Sequence, residues 1–103
     1  MNDHTASTPF THTFRIGADH PALPGHFPGR PLVPGVVLLD ELAALLQRER
    51  GWRLARIVDA KFVAPLWPDR TAELRVHGEP PRLRFEILGE GGVLARGRVE
   101  VAA

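Results

Sequence analysis

The sequence predicts an α+β fold in which one curved antiparallel sheet wraps around a single central helix. Three observations predict it: a long apolar segment with helical character in the first half of the chain, several segments that alternate apolar and polar residues, and short turn-forming connections between the last of these. The element order is strand, long loop, helix and four strands. One sheet over one helix leaves sheet edges and part of the helix uncovered, so we expect the chain to pair with a second copy.

The strands are predicted from alternation and from the turns that separate them. The first strand covers Phe10–Ile16, and a second covers Leu54–Val63 before a proline-containing turn at 64–69. The connections at 78–81 and 90–92 are typical of hairpins, which makes the last three strands antiparallel neighbours. The inward-facing residues of these three strands are Ala72, Leu74 and Val76, then Leu83, Phe85 and Ile87, then Val93, Ala95, Gly97, Val99 and Val101.

The helix is predicted over Gly35–Arg50, about 24 Å at 1.5 Å per residue. Gly51 follows it in the position where a left-handed cap is expected. Nine of the eleven residues in 36–46 are apolar, the exceptions being Asp40 and Glu41. A helix this apolar belongs to the core of a protein.

Length and composition predict one globular domain. The 103 residues fit a flexible tail at 1–9 and a domain at 10–103. The net charge is +1, from 13 basic and 12 acidic residues, which argues against a nucleic-acid partner. The chain has no cysteine, and its four histidines other than His26 are scattered without ligand spacing, so no metal site is predicted. No apolar segment approaches the roughly 20 residues that cross a membrane, and we expect a cytoplasmic location.

The segment from Gly25 to Asp40 carries the strongest functional motif. It contains His26-Phe27-Pro28-Gly29, then Pro31, then Pro34-Gly35, with Asp40 fourteen positions after His26. It resembles the active-site signature of the 3-hydroxyacyl-acyl carrier protein dehydratases, the FabA/FabZ-type members of the hotdog-fold superfamily. The similarity extends over 19–69, and the brevity of the chain resembles the compact dehydratase-like proteins of aryl-polyene pathways.

The resemblance implies a fold and a reaction. The fold is the hotdog, a curved antiparallel sheet around one helix. The reaction is dehydration of a (3R)-hydroxyacyl thioester to the trans-2-enoyl thioester in fatty-acid or polyene-type biosynthesis. The acyl group arrives on the phosphopantetheine arm of an acyl carrier protein, and no other cofactor is needed. A homodimer is implied, with a higher homo-oligomer or a hetero-oligomer with a related hotdog subunit as alternatives.

The resemblance also implies roles for individual residues. His26 is the catalytic base, and Asp40 completes the site of the other protomer. The oxyanion and substrate-binding positions are Gly35, Phe27, Pro34 and Val36. The chemistry is consistent with these types: a histidine with a pKa near 6.5 can take a proton from C2 at neutral pH, and a helix N-terminus stabilises charge on the thioester carbonyl. Gly35, without a Cβ, permits close approach of substrate.

Simpler interpretations of these residues stay open. His26 is also suited to capping a proline-rich loop, and Gly35 to starting a helix. Asp40 also falls on a polar side of the helix that a solvated stripe would occupy, with Glu41, Ala44, Gln47 and Arg48. Ala44 stands where the family often has a glutamine that steadies the acid. The alternative functions are a hotdog acyl thioesterase and a non-catalytic acyl-binding partner.

Overall fold

A computed structural model describes residues 9–20 and 32–102 of the chain. The elements in these residues are β1 (Phe10–Arg15), α1 (Gly35–Arg50), β2 (Arg53–Phe62), β3 (Thr71–Glu79), β4 (Arg82–Gly89) and β5 (Gly92–Ala102). The five strands form one antiparallel sheet in the order β1-β3-β4-β5-β2. The predicted α+β architecture is confirmed, while the expected tail at 1–9 lies, except for Pro9, outside the described residues. No helix in the described ranges is long and apolar enough to span a membrane.

The core lies between one face of the sheet and one side of α1. The alternation in β3 and β4 turns every second side chain toward the helix, as the sequence predicts. In β5 a register shift against β4 buries both Leu94 and Ala95, and Val93, predicted to face inward, is only half-buried. Across the described residues the core contains no buried charged or polar side chain. The largest fully buried side chains are Leu42, Leu45 and Leu46 from the helix, and Leu74, Val76, Leu83, Phe85, Ile87 and Val99 from the sheet.

The helix begins and ends where the sequence predicts. Its last turn closes on Gly51, which has a left-handed φ of 70° and donates its N–H to the Gln47 carbonyl at 2.9 Å. The Arg50 guanidinium lies 4.2 Å from the centre of the Phe10 ring, which joins the end of the helix to β1. The C-terminal end of α1 is therefore fixed by both backbone and side-chain contacts.

The hairpins are tighter than the sequence predicts. Only Pro80-Pro81 and Glu90-Gly91 lie between the strands. Gly78 and Gly92 continue the ladder with positive φ values of 108° and 122°, which a glycine tolerates without strain. The predicted connections at 78–81 and 90–92 were too long for this reason.

One side of α1 has no cover within the described chain. Five helix residues are buried, whereas Val36, Asp40, Ala44 and Gln47 are exposed along the opposite side. A single sheet contacts only one side of a helix, so Val36 and Ala44 stay exposed within the described residues.

The edge strand β2 is irregular where it joins β5. Its register shifts twice, between Leu54 and Arg56 and between Ile57 and Asp59. Asp59 accepts hydrogen bonds from Arg98 at three atoms, the backbone N–H at 3.0 Å, Nε at 3.1 Å and Nη2 at 2.6 Å. The hydrogen bonds from the Arg98 side chain hold the pKa of the Asp59 carboxyl below its ordinary value. Both side chains are exposed, so this pair guides strand register more than it adds stability.

Gly97 allows β2 to approach β5 closely. A Cβ at this position would overlap the Asp59 carbonyl oxygen and lie 2.8 Å from Cε1 of Phe85 and 3.0 Å from Cα of Ala60. Two of these three atoms belong to the backbone of β2, which cannot move aside as a flexible side chain can. The irregular pairing of β2 therefore depends on the absence of a side chain at Gly97.

Gly97→Ala is expected to lower the free energy of unfolding by about 1–3 kcal/mol, because the added methyl group overpacks the β2–β5 contact. Urea unfolding followed by circular dichroism measures the change. Gly91→Ala is the matched control, since a Cβ there meets nothing within 4 Å. Equal unfolding midpoints for the two variants would contradict the role assigned to Gly97.

Candidate active site

A backbone hydrogen bond joins the start of α1 to the connection between β2 and β3. Val33 donates its backbone N–H to the Leu66 carbonyl at 3.0 Å, and both side chains are buried. Pro34 follows as the N-cap, with φ −62° and ψ 147°, and Val37 donates its N–H to the Pro34 carbonyl at 3.0 Å. Because proline fixes its own φ, the chain enters the helix from a restricted backbone conformation.

Within the described residues, no side chain caps the first backbone N–H groups of α1. Pro34 offers no side-chain acceptor, and the first turn contains no acidic residue. The N–H groups of a first helical turn have no partner inside the helix and carry the positive end of the helix dipole. The start of α1 is therefore suited to stabilising negative charge on a bound carbonyl oxygen.

Gly35 lies against the ring of Phe62. A Cβ on Gly35 would lie 2.8 Å from Cζ of Phe62, 3.0 Å from Cε1 and 3.2 Å from Cε2. The outer edge of the ring therefore occupies the space where any other residue would place its side chain. Packing against Phe62 explains why a glycine is needed at position 35, which the sequence did not indicate. The close approach of substrate to Gly35 stays a prediction.

A concavity of about 310 Å³ opens at the start of the helix. The residues that line it all carry apolar side chains or none, which suits an acyl group better than a polar metabolite. The lining residues are Leu32, Val33, Pro34, Gly35, Leu38, Phe62, Val63, Ala64, Pro65 and Leu66.

The structure brings together two of the predicted site residues and separates two others from them. Pro34 and Gly35 line the concavity. Val36 and Asp40 do not, because they lie on the uncovered side of α1, where Val36 is 62% exposed. His26 and Phe27 lie outside the described residues.

Asp40 is exposed and has no hydrogen-bond or ion-pair partner within residues 9–20 and 32–102. Ala44, one turn further along the helix and also exposed, offers no side-chain group to orient it. The exposed stripe expected from the sequence is present at Asp40, Ala44, Gln47 and Arg48, while Glu41 is half-buried. A carboxylate placed here contacts a substrate only if that substrate is bound beside the uncovered side of α1.

Sequence reasoning missed Phe62 and Leu66 as parts of the site. The signal available was the similarity of the segment 61–69 to the dehydratases, together with an aromatic residue at the end of a strand. Contact between Phe62 and Gly35 depends on how β2 passes the start of the helix. Periodicity along the chain carries no information about that distance.

Larger concavities lie on the opposite, charged face of the sheet. Two of them, of about 460 and 550 Å³, share His77, Arg84 and Arg98 in their lining. Neither includes a residue of the motif at 25–40, and their charged lining does not suit an apolar chain. Among the described residues, no group of three or more histidine, aspartate or glutamate side chains is placed to hold a metal ion.

The fold and the apolar concavity at the helix start together define a hotdog-fold protein. The dehydratase heterocomplex ApeI:P from Xenorhabdus doucetiae superposes with a TM-score of 0.82, at 24% identity, over 98% of this chain and 93% of that one. At this identity the likeness is evidence for the fold alone.

The family is shown by sequence. The protein-family model described as "ApeI-like: ApeI dehydratase" matches residues 2–98, and the chain belongs to this ApeI-like dehydratase family. FabZ of Herpetosiphon aurantiacus, a 3-hydroxyacyl-[acyl-carrier-protein] dehydratase, is 35% identical in an alignment that covers 77% of this chain and 70% of that protein. FabZ of Mannheimia succiniciproducens is 37% identical in an alignment that covers 59% of this chain. The match spans about half of that relative, 47% of its length.

Asp40→Asn is expected to change the free energy of unfolding by less than about 0.5 kcal/mol, because the carboxylate is exposed and unpartnered in the described chain. Leu42→Ala, two residues away and fully buried, is expected to cost about 2–5 kcal/mol. Thermal and urea unfolding of the two variants measure the contrast. A large loss for Asp40→Asn would assign this residue a structural role.

Proposed function

We propose that this chain dehydrates a (3R)-hydroxyacyl thioester to the trans-2-enoyl thioester. The observation that carries the proposal is the family match over residues 2–98, a range that contains both His26 and Asp40. The apolar concavity beside an uncapped helix N-terminus supports it, because the reaction needs space for an acyl chain and a donor for a carbonyl oxygen.

The proposed reaction removes one water across C2 and C3. His26 takes the proton from C2, and the electron pair of that C–H bond moves onto the thioester carbonyl to form an enolate. Backbone N–H groups at the start of α1 stabilise the negative charge that develops on that carbonyl oxygen. The enolate electron pair then returns to form the C2–C3 double bond as the C3–O bond breaks. The departing hydroxyl takes the proton that His26 removed and leaves as water, so the site returns to its starting charge.

We assign Asp40 to the departing hydroxyl of the partner protomer's substrate. Its exposed position on the uncovered side of α1 supports an action on a substrate held by another copy. A carboxyl group there orients the hydroxyl and assists its protonation. Because Ala44 has no polar side-chain group, the groups that orient Asp40 must come from outside this helix turn.

The carrier we propose is an acyl carrier protein, with the acyl group on its phosphopantetheine arm. The relatives at 35% and 37% identity are named for substrates on this carrier, which supports the assignment. Fatty-acid or polyene-type biosynthesis is the proposed pathway, and no metal or nucleotide takes part in the proposed reaction.

His26→Ala is expected to lower kcat for dehydration by roughly 10²–10⁴-fold, the range that a general base contributes. Incubation with a 3-hydroxyacyl carrier-protein thioester, followed by mass spectrometry of the products, measures loss of one water. His77→Ala is the matched control, since His77 lies on β3 at the charged outer face. Asp40→Asn should also lose dehydration activity. Its control is Glu41→Gln, which should keep that activity.

The same assay separates the alternatives. Release of free acid by the wild-type protein would move the assignment to a thioesterase. Binding of the thioester without change, at several chain lengths, would favour an acyl-binding partner. Dehydration that survives His26→Ala would remove His26 from the mechanism while leaving the reaction in place.

A homodimer is the assembly we propose, with β2 and the uncovered side of α1 at the interface. Ile57 and Val58 on β2 are 41% and 37% exposed, and Val36 on the helix is 62% exposed. The outer edge of β2 has no strand beside it in the described chain. A second copy, or a related hotdog subunit, would cover this apolar surface and bring Asp40 to a neighbouring site.

Ile57→Lys is expected to convert the dimer to a monomer at micromolar concentration, because the lysine places a charge in an apolar interface. Light scattering coupled to size-exclusion chromatography measures the mass. Thr13→Lys adds the same charge at the opposite sheet edge, on β1, and should leave the dimer intact. A dimer that tolerates Ile57→Lys would place the interface elsewhere.

A further inference from the structure

Asp69 has an unusual backbone conformation at the end of the connection between β2 and β3. Within the described chain it is the one non-glycine residue with a positive φ, 64°. Residues other than glycine meet steric resistance in this left-handed region, and aspartate and asparagine tolerate it best. A residue persists in such a conformation where its surroundings hold it there, and residues of this kind concentrate at functional sites. The conformation of Asp69 therefore indicates that contacts around it hold this part of the chain in place.

Both ends of the connection are attached to the sheet. At its end, Asp69 donates its backbone N–H to the carbonyl of Ile16 at 2.8 Å, directly after β1. At its beginning, Ala64 donates its N–H to the carbonyl of Leu94 on β5 at 3.1 Å. The segment 65–68 is therefore the part of the connection that lies between two fixed points.

The segment 65–68 holds the start of α1. Leu66 accepts the N–H of Val33 at 3.0 Å, and the two side chains are buried, at 3% and 7% exposure. Val33 directly precedes Pro34, the N-cap of the helix. Pro65 and Leu66 also line the apolar concavity. One short segment therefore supports both the helix start and one wall of the concavity.

A change of φ at Asp69 falls on this segment. The ladders to β1 and β4 fix β3, so β3 does not follow such a change. Rotation of φ into the ordinary negative region would turn the Asp69 N–H away from the end of β1 and redirect the chain that precedes it. Two of the residues in 65–68 are prolines, which fix their own φ and restrict the residue before them, so the segment has few conformations that absorb the change. The displacement therefore reaches Leu66 and, through its carbonyl, Val33.

We propose that Asp69 is a positioning residue of the candidate active site, whose left-handed conformation holds the start of α1 in the orientation that the reaction uses. The inference rests on the proposed function and deepens it. Asp69 contacts no substrate in this role and acts through the hydrogen bond between Leu66 and Val33. Its carboxylate makes no hydrogen bond or ion pair with other described residues, so the position requires a backbone conformation and not a charge.

Substitutions at position 69 separate conformation from charge. Glycine and asparagine adopt a positive φ readily, alanine does so less, and the β-branched valine resists it most. The series is Asp69→Gly, Asp69→Asn, Asp69→Ala and Asp69→Val. Arg70→Val is the matched control, the same new side chain at the next residue, which is exposed and has no positive φ.

The first measurement is kcat and KM for dehydration of a 3-hydroxybutanoyl carrier-protein thioester, under conditions in which urea unfolding shows each variant to be folded. Asp69→Val is expected to lower kcat by about 10–100-fold with little change in KM, because misplaced donors lose most of their effect in the transition state. Asp69→Ala should lie between, and it supplies the measurement if the valine variant does not fold. Asp69→Gly, Asp69→Asn and Arg70→Val should keep the wild-type kcat.

The second measurement reads the helix start without turnover, in a His26→Ala background. A trans-2-butenoyl thioester with a ¹³C-labelled carbonyl is bound, and its carbonyl stretch is recorded by infrared difference spectroscopy. N–H groups that contact the carbonyl oxygen polarise it and lower the frequency of this band. Adding Asp69→Val should return the band toward its position in the free thioester, whereas adding Asp69→Gly should not.

The outcomes separate the inference from the proposed function. Wild-type kcat in folded Asp69→Val and Asp69→Ala would limit Asp69 to a structural role and overturn the inference alone. Equal losses in Asp69→Gly and Asp69→Val, or a carbonyl band that Asp69→Val leaves in place, would overturn it as well. Failure of the wild-type protein to dehydrate the thioester would instead overturn the proposed function, and the inference with it.

Discussion

Burial of one side of α1 against one face of the sheet is the contact on which the rest of the structure depends. It supplies the fully buried leucines Leu42, Leu45 and Leu46, and within the described residues no polar group interrupts the core. The same contact fixes where the helix begins, and hence where its free N–H groups lie. It also leaves the other side of the helix, with Asp40, uncovered. Core, candidate oxyanion position and candidate interface thus follow from one packing arrangement.

The sequence predicts the elements well because their signals are local. The density of apolar residues and Gly51 give the bounds of α1, and alternation gives the strands. Signals of this kind weaken at β2, where two register shifts replace alternation and most residues are exposed. Strand order and the approach of β2 to β5 at Gly97 are properties of the folded sheet, so spacing along the chain does not contain them.

The sequence predicted only part of the candidate site, because its signals are local and the site also depends on contacts between distant parts of the chain. The motif singled out Pro34 and Gly35, which line the apolar concavity. It did not single out Phe62, whose role comes from a contact between two distant parts of the chain. His26 and Phe27 fall outside the described residues, and their roles stay predictions. Asp40 was assigned to a partner's site by resemblance, and its uncovered position supports that assignment without testing it.

The hydrogen bond from Val33 to Leu66 has a consequence for how related chains diverge. It ties the helix start to the connection between β2 and β3, a surface segment of the kind that tolerates insertions and deletions. A change of length in that connection would displace the helix start relative to Phe62 while every motif residue stayed the same. Divergence in this connection can therefore reshape the concavity at the helix start while the motif at 25–40 stays unchanged.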